Sequence, residues 1–418
     1  MNIAIVGAGI IGVTTAWELA RDGHEVHVFE RRAAAAEETS FANAGVVAPG
    51  YVSPWAGPGM RVKVLRSLLT SHGAVKLRWP LKASDFAWMK RWQQACRLET
   101  YLANRARMQR LAYYSRTRLH EVSEACELSY ERSEGYLVLL RSKREKKMAQ
   151  AGLELLRAGG TRFREIDADE ARTIEPALSS DTALAGAIHL PDDEVANCRQ
   201  FALLLKWEAE ALGAQFHFSC DLAPLRRAAP TELSLAGGSE SHRFDAVVIA
   251  AGVESARFLR PIGLQLPLAP VYGHSISAAI REPLHAPRSG VMDERYKVAI
   301  SRLGMRVRVA GSAELGGQPG VVHPSSLQTL YKVLHDWFPG AVTLQSGVQQ
   351  WKGARPMLPD GPPILGPSGI PGVWLNLGHG GSGWALSCGS ARVLADLMGG
   401  QDPGIDLEGL GVERLLRD

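Results

Sequence analysis

The stretch Asn2-Ile-Ala-Ile-Val-Gly-Ala-Gly-Ile-Ile-Gly12, followed eighteen residues later by Glu30, decides the fold. The apolar run Ile3–Val6 reads as a fully buried strand. Gly7, Gly9 and Gly12 follow in G-x-G-x-x-G spacing. Val13–Ala20 then reads as a helix, and Glu25–Phe29 as a second strand ending at Glu30. Each part has a physical task. Gly7 permits a tight turn, Gly9 lets a pyrophosphate approach the backbone, and Gly12 lets helix and strand pack closely. The helix N-terminus offers free N–H groups and partial positive charge to phosphates. Glu30 is placed to accept a hydrogen bond from a ribose hydroxyl, with Arg31 beside it in the same site. A lone glycine fingerprint is weak. With strand, helix and acid in register it predicts dinucleotide binding in an α/β domain.

Further along, the same grammar recurs. Phe244-Asp-Ala-Val-Val-Ile-Ala-Ala-Gly252 reads as a buried parallel strand with a close ligand approach at its C-terminal end. Val373–Leu377 is a strand, Gly378-His-Gly-Gly-Ser-Gly-Trp384 a glycine loop, and Ala385–Leu397 a helix. Between these, strands at Tyr272–Ala279, Lys297–Ser301 and Arg306–Ala310 alternate with turns, and a helix follows at Ser326–Trp337. This predicts a separate, mostly antiparallel sheet. Elsewhere Arg105–Glu127 reads as a helix and Leu128–Leu140, with Gly135 inside it, as a hairpin. Lys143–Ala158 and Phe201–Leu212 read as helices and Gln215–Ser219 as a strand.

At 418 residues, two domains are the natural expectation. A net charge of +4 gives no argument for nucleic acid. The cysteines (Cys96, Cys126, Cys198, Cys220, Cys388) are scattered with no C-x-x-C pair, so no metal site and no disulfide framework is expected. That usage suits a reducing, cytoplasmic setting. The N-terminus lacks the basic region of a signal peptide, and its apolar stretch belongs to the nucleotide strand. No run approaches the roughly eighteen apolar residues of a membrane span.

Residues 61–110 are basic, with Arg61, Lys63, Arg66, Lys82 and Lys90 among many cations opposed only by Asp85 and Glu99, and with Trp79, Trp88 and Trp92 interleaved. Two readings stand for this segment. One is a peripheral contact with the inner face of an anionic membrane; the other is a solvated helical face over core tryptophans.

Together these motifs resemble the FAD-dependent D-amino acid oxidase superfamily, and within it the bacterial D-amino acid dehydrogenases of the small-subunit type. The likeness is most specific at Ser40-Phe-Ala-Asn-Ala-Gly45, Pro49-Gly-Tyr-Val-Ser-Pro-Trp-Ala-Gly-Pro-Gly59, Asp293–Ile300, Gly353-Ala-Arg-Pro-Met-Leu-Pro-Asp-Gly361 and Leu375–Trp384. The resemblance implies an α/β fold: an FAD-binding Rossmann-like domain and a second α+β substrate domain on a mostly antiparallel sheet. It assigns residues 1–55, 145–258 and 344–418 to the first and 56–144 and 259–343 to the second. FAD would be held without a covalent bond. Gly7, Gly9 and Gly12 would hold its pyrophosphate and Glu30 its adenosine ribose. Ser40, Asn43 and Gly45 would run along the pyrophosphate and flavin side, and Leu222 would meet adenine through its backbone. Gly252 would end the small-residue strand. Gly380, Gly381, Ser382 and Gly383 would turn backbone donors to the flavin edge where reduction builds charge.

The implied reaction is hydride removal from the Cα of a D-amino acid, then hydrolysis of the imino acid to a keto acid and ammonia. Electrons would pass to a quinone or another carrier. An oxidase of glycine, sarcosine or a D-amino acid that uses O2 is the alternative. Arg355, in the Gly-x-Arg-Pro position, is the expected carboxylate ligand, since its planar fork grips a carboxylate with two charge-assisted hydrogen bonds. Tyr272 and Tyr296 are candidates for a second carboxylate contact or a pocket wall, or equally for buried sheet tyrosines, and Tyr51 for a lid. His379 is expected to serve the flavin loop by its backbone, and His274 is given no catalytic role. Two departures from the superfamily's pattern stand out: Ala250-Ala-Gly252 replaces Ala-Thr-Gly, and Gly381-Ser-Gly383 replaces a bulkier loop. The preferred side chain and the oligomeric state are not written in these residues.

Overall fold

The computed structural model describes residues 1–416 apart from 69 and 71. Its first elements follow the fingerprint: β1 (Asn2–Val6), α1 (Ile10–Arg21) and β2 (Glu25–Phe29). Gly7 takes a φ of +104°, a turn that L side chains rarely adopt. A Cβ on Gly12 would lie 1.8 Å from the Gly7 carbonyl oxygen, so helix and strand approach as closely as they do only because Gly12 has no side chain.

β1 sits inside a six-stranded sheet with β8 (Gln215–His217), β11 (Ala246–Ile249), β17 (Ile364–Pro367) and β18 (Val373–Leu377), in the order β17-β18-β11-β1-β2-β8. Every pairing is parallel except β17 with β18. Both faces are covered, which explains the apolar runs. Ile3 and Ile5 pack towards α1, α7 (Cys198–Ala211) and α10 (Gly383–Met398), while Ala4 and Val6 meet Leu222, Phe258 of α8 (Ser255–Leu259) and Ile262. β1 lies between β2 on one side and the distant β11 on the other, so a crevice opens at its C-terminal end.

The second sheet has ten strands. Its main path is β16 (Gln349–Met357), β12 (Ala269–Ala279), β15 (Arg306–Gly316), β14 (Val298–Leu303), β13 (Gly290–Asp293), β5 (Arg132–Leu140), β7 (Gly186–Ala196) and β3 (Val46–Val47). β4 (Val75–Arg78) joins β15, and β6 (Arg164–Ile166) joins β7. It is mostly antiparallel; β13–β5 and β15–β4 are the parallel pairs. The short strands β9 (Glu232–Ser234) and β10 (Ser241–Arg243) form a hairpin apart from both sheets.

Side chains alternate across a sheet, and the two faces of this one differ. Ile276, Ala278, Val298 and Ile300 pack on α9 (Pro324–Trp337). The opposite face carries Gly273, Ser275, Ser277 and Ser301 and looks at the first sheet. Three bonds join the two there: Thr39 donates to the Ala354 carbonyl (2.6 Å), Ser301 to that of Ala44 (2.7 Å) and Arg308 to that of Asn43 (3.1 Å). On the outside run α2 (Met60–Leu68), α3 (Ala83–Ala95), α4 (Leu98–Ala125), α5 (Lys143–Ala158) and α6 (Ala168–Ile174).

Two local readings change. Leu128–Leu140 is no hairpin: β5 runs straight through, and Gly135, at φ +86°, sits where its register against β7 shifts. A bulge and a turn ask for the same left-handed residue, which is why the sequence suggests either. The sheets also share the chain more finely than the expected segment boundaries. β3, β7 and β16 lie in stretches expected to accompany the first sheet, yet they run in the second.

Candidate active site

The crevice at the end of β1 opens into a cleft enclosing about 1070 Å³, part of it open to solvent. Gly7 and Gly9 form its floor at the N-terminus of α1. Ser40, nearly buried, accepts from the Ile10 amide at 3.0 Å, so its hydroxyl sits at the positive end of the helix. Glu30 is fixed by two backbone donors, Ala8 N–H and Arg32 N–H, each at 2.8 Å, and keeps acceptor capacity facing the cleft. Arg31 borders the same end, paired with Glu38 at 2.9 Å. Leu222 and Gly252 complete it, Gly252 at φ +56° directly after Ala250 and Ala251, the small residues that follow β11. Gly12, Asn43 and Gly45 stand behind the lining. Asn43 Oδ1 accepts from the Gly45 amide at 2.6 Å and so shapes its own loop.

At the far end, β18 delivers the loop Gly378–Gly383. Gly380 and Gly383 line the cleft, while Gly381 and Ser382 lie just beyond it. His379 is buried and bonded to Ser390 at 3.0 Å; burial pushes its imidazole down to about 3, so it is neutral and unsuited to act as a base. Met357 lies against Gly380. Its carbonyl accepts from the Trp88 indole at 3.0 Å.

Arg355 reaches this end from β16. It lies deep, half-buried, against Gly381. Burial alone lowers its guanidinium to about 10, which leaves it a cation at neutral pH. Among the described residues it has no carboxylate partner; Nη1 donates to the Ser312 carbonyl at 2.7 Å. A buried cation without a counter-ion is costly and calls for an anion from outside. Beside it, the Trp351 indole lies over Gly353, where a Cβ would meet the ring at 1.5 Å.

The structure does not bring the three tyrosines to Arg355. Val271 pairs with Arg355 and Tyr272 with Ala354, so alternation sends Tyr272 to the opposite face, where the Lys352 ammonium lies 4.5 Å from its ring centre. Tyr296 packs on the α9 side with Arg141 over its ring. Tyr51 faces the cleft side of the sheet but four strands away, donating to Glu294 (2.8 Å) and accepting from Lys297 (3.0 Å).

The profile described as FAD dependent oxidoreductase matches residues 2–397. The chain belongs to this family of FAD-dependent oxidoreductases. It is 42% identical over 416 residues to a D-amino acid dehydrogenase of Cereibacter sphaeroides, covering 99% of this chain and 95% of that one. It is 40% identical over 419 residues to D-amino acid dehydrogenase 1 of Mesorhizobium japonicum, covering 100% of both. Among solved structures it is similar in fold to a glycine oxidase from Geobacillus kaustophilus (TM-score 0.74, 23% identity, covering 100% of this chain and 98% of that one). An iminodiacetate oxidase from a Chelativorans species is similar as well (TM-score 0.75, 21% identity, 98% of both chains).

For a member of the FAD-dependent oxidoreductases, the cleft is chemically apt. A carboxylate waits at the Leu222 end, a helix N-terminus and a hydroxyl stand at mid-length, and a glycine loop closes the other end. These suit a ribose, a pyrophosphate and a flat ring in turn. Trp351, Gly273 and Ser312 escaped the sequence reading. A local signal existed for Trp351, two residues before Gly353; none existed for the other two, which meet Arg355 only through strand pairing.

Proposed function

We propose that this oxidoreductase deaminates D-amino acids to 2-oxo acids and ammonia. The observation that carries the reading is Arg355: a cation beside the glycine loop, without a carboxylate partner among the described residues and ready for that of a substrate. The names of the relatives above supply the substrate class and its handedness. FAD, when bound without a covalent link, supplies the two-electron acceptor for the Cα hydride. Gly7, Gly9 and Gly12 serve its pyrophosphate, Glu30 and Arg31 its ribose end, Leu222 and Gly252 the adenine side. Ser40, Asn43 and Gly45, with Gly380, Gly381, Ser382 and Gly383, serve the flavin half. As the hydride leaves, the amine lone pair becomes the C=N bond. Water then adds to the imino acid, and ammonia departs. Arg355 anchors the carboxylate so that Cα stays in place, and the Trp351 indole forms a wall for the side chain. No strong base is needed if the amine binds neutral, which accords with the neutral, buried His379.

We take the six-stranded sheet with α1, α7 and α10 as the cofactor domain and the ten-stranded sheet as the substrate domain. Electrons leave for a quinone or another carrier. In support, α2 exposes Val62, Leu65 and Leu68 alongside Arg61, Lys63 and Arg66, and Trp79 and Phe86 are also exposed, whereas Trp88 and Trp92 are core residues. No helix among the described residues is long and apolar enough to cross a membrane.

The deciding experiment is anaerobic. Purified holoenzyme is mixed with D- and L-amino acids, glycine, sarcosine and proline, and the flavin absorbance is followed before oxygen is admitted. Bleaching by D-amino acids with slow reoxidation in air is the expected result. Fast reoxidation would make it an oxidase, and no bleaching by any amine would end the amino-acid reading.

A further inference from the structure

Arg355 does not lie along its own strand. Its guanidinium crosses onto β12, where a Cβ on Gly273 would stand 2.3 Å from Nη2 and 2.5 Å from Cζ. The backbone of Gly273 is not left-handed, so nothing in its conformation asks for glycine; the room does. The carbonyl that Arg355 holds is itself unusual. Ser312 takes φ +61°, a conformation few non-glycine residues adopt, at the point where the register between β12 and β15 shifts past Tyr272 and His274. The bulge takes Ser312 out of the regular ladder, and its carbonyl accepts from Arg355 Nη1 at 2.7 Å. Behind it, Ser312 Oγ is bonded to His274 Nδ1 at 3.0 Å. His274 is 1% exposed and packed against the fully buried Glu314, whose carboxylate stands 4.0 Å from Nε2.

We propose that Gly273, Ser312 and His274 are positioning residues that seat the Arg355 guanidinium in the plane in which it meets the substrate carboxylate. The inference rests on the carboxylate role proposed for Arg355. The seat uses Nη1 and leaves the remaining N–H groups for a carboxylate. A cation fixed before substrate arrives loses little freedom on binding, so the seat acts on affinity more than on hydride transfer. Tyr272 and Lys352, on the α9 face, flank His274 and Glu314 but do not touch the guanidinium.

The test is steady-state kinetics on holoenzyme with an artificial dye acceptor, using the D-amino acid that bleaches the flavin fastest. His274→Phe is expected to raise KM about tenfold, the effect of losing one hydrogen bond in a charged array, with a smaller change in kcat. Burial already holds the imidazole below its ordinary value, so this change removes no charge at neutral pH. His274→Asn, whose amide reaches the Nδ1 position, restores KM. Ser312→Gly, which keeps the left-handed backbone and loses only the hydroxyl, repeats the rise and serves if His274→Phe does not fold. In an Arg355→Ala background none of these changes adds to KM. A wild-type KM in Ser312→Gly, or an equal rise without Arg355, overturns the seat. A wild-type KM in Arg355→Ala overturns the carboxylate reading itself.

Discussion

Arg355 owes its standing to what surrounds it. A guanidinium bonded to a carbonyl oxygen, with no carboxylate partner among the described residues, is poised for one, and Arg→Lys is not conservative there, because lysine lacks the fork. Arg355→Lys should raise KM for amino acids roughly a hundredfold, as expected for one lost charge-assisted bidentate contact, while FAD stays bound. Initial rates and the flavin spectrum check both halves. This residue was legible because its motif is local: Gly353, Arg355 and Pro356 fall within four successive residues. The tyrosines were not. A strand pattern tells which residues share a face but not which face meets the cofactor, and one step of register exchanges the two. Hence Tyr272 stood as a second-tier candidate beside Arg355, as apt for the pocket as for the sheet core, although their side chains leave opposite sides of the sheet. Ser312 was invisible for a different reason: its left-handed backbone comes from a bulge between paired strands, and serine does not advertise it.

The elements were mostly legible wherever periodicity spoke. The N-terminal strand, helix and strand appear as read, and the glycine spacing carries a steric demand the structure makes explicit. Gly12→Val should abolish FAD retention, since its Cβ alone would overlap the Gly7 carbonyl; a yellow purified variant would contradict this. What held the helices together was not legible. Glu18 of α1, 1% exposed, accepts from Arg118 of α4 (2.7 Å) and Arg392 of α10 (2.8 Å), and Arg392 also grips Asp22. These partners lie about 100 and 374 residues away, beyond any sequence pattern. Removing the charge would leave Arg118 only Glu121, and Arg392 only Asp22 and Asp396, as acidic partners among the described residues. Glu18→Gln should cost about 1.5–3 kcal/mol of stability, read as a lower midpoint in urea, with the kinetics of the folded fraction intact.

For the molecule as a whole, two buried acids set a pH dependence. Burial pushes Glu175, which accepts from the Arg288 amide with both oxygens, up to about 7 from 4.5. It also pushes Asp193 up to about 7 from 3.8. In each case the folded protein keeps a proton that the unfolded chain has released between those values. The contribution of these two groups to stability therefore falls as pH rises from the ordinary carboxylate range to about 7, by roughly 3–4 kcal/mol per group, and is level above it, while the buried, neutral His274 and His379 act in the opposite sense below the ordinary histidine range. Glu175→Gln should flatten part of that slope in denaturation series across this range. The two-sheet plan was legible, but the repeated exchange of chain between the sheets was not, because β3, β7 and β16 are short segments whose partners lie far off in sequence. That exchange fixes an order of events during synthesis. The ribosome makes Gly7, Gly9 and Glu30 well before the rest of the site: β1 can pair with β2 at once, but its other neighbour is missing until residues 246–249 exist, and the glycine loop closing the cleft arrives only at 378–383. Because domains fold as units, a nascent chain carries its nucleotide fingerprint without a site to hold the cofactor until the glycine loop has been made. Loading must then wait for that loop, and cells short of flavin would accumulate colourless chains rather than stalled ones.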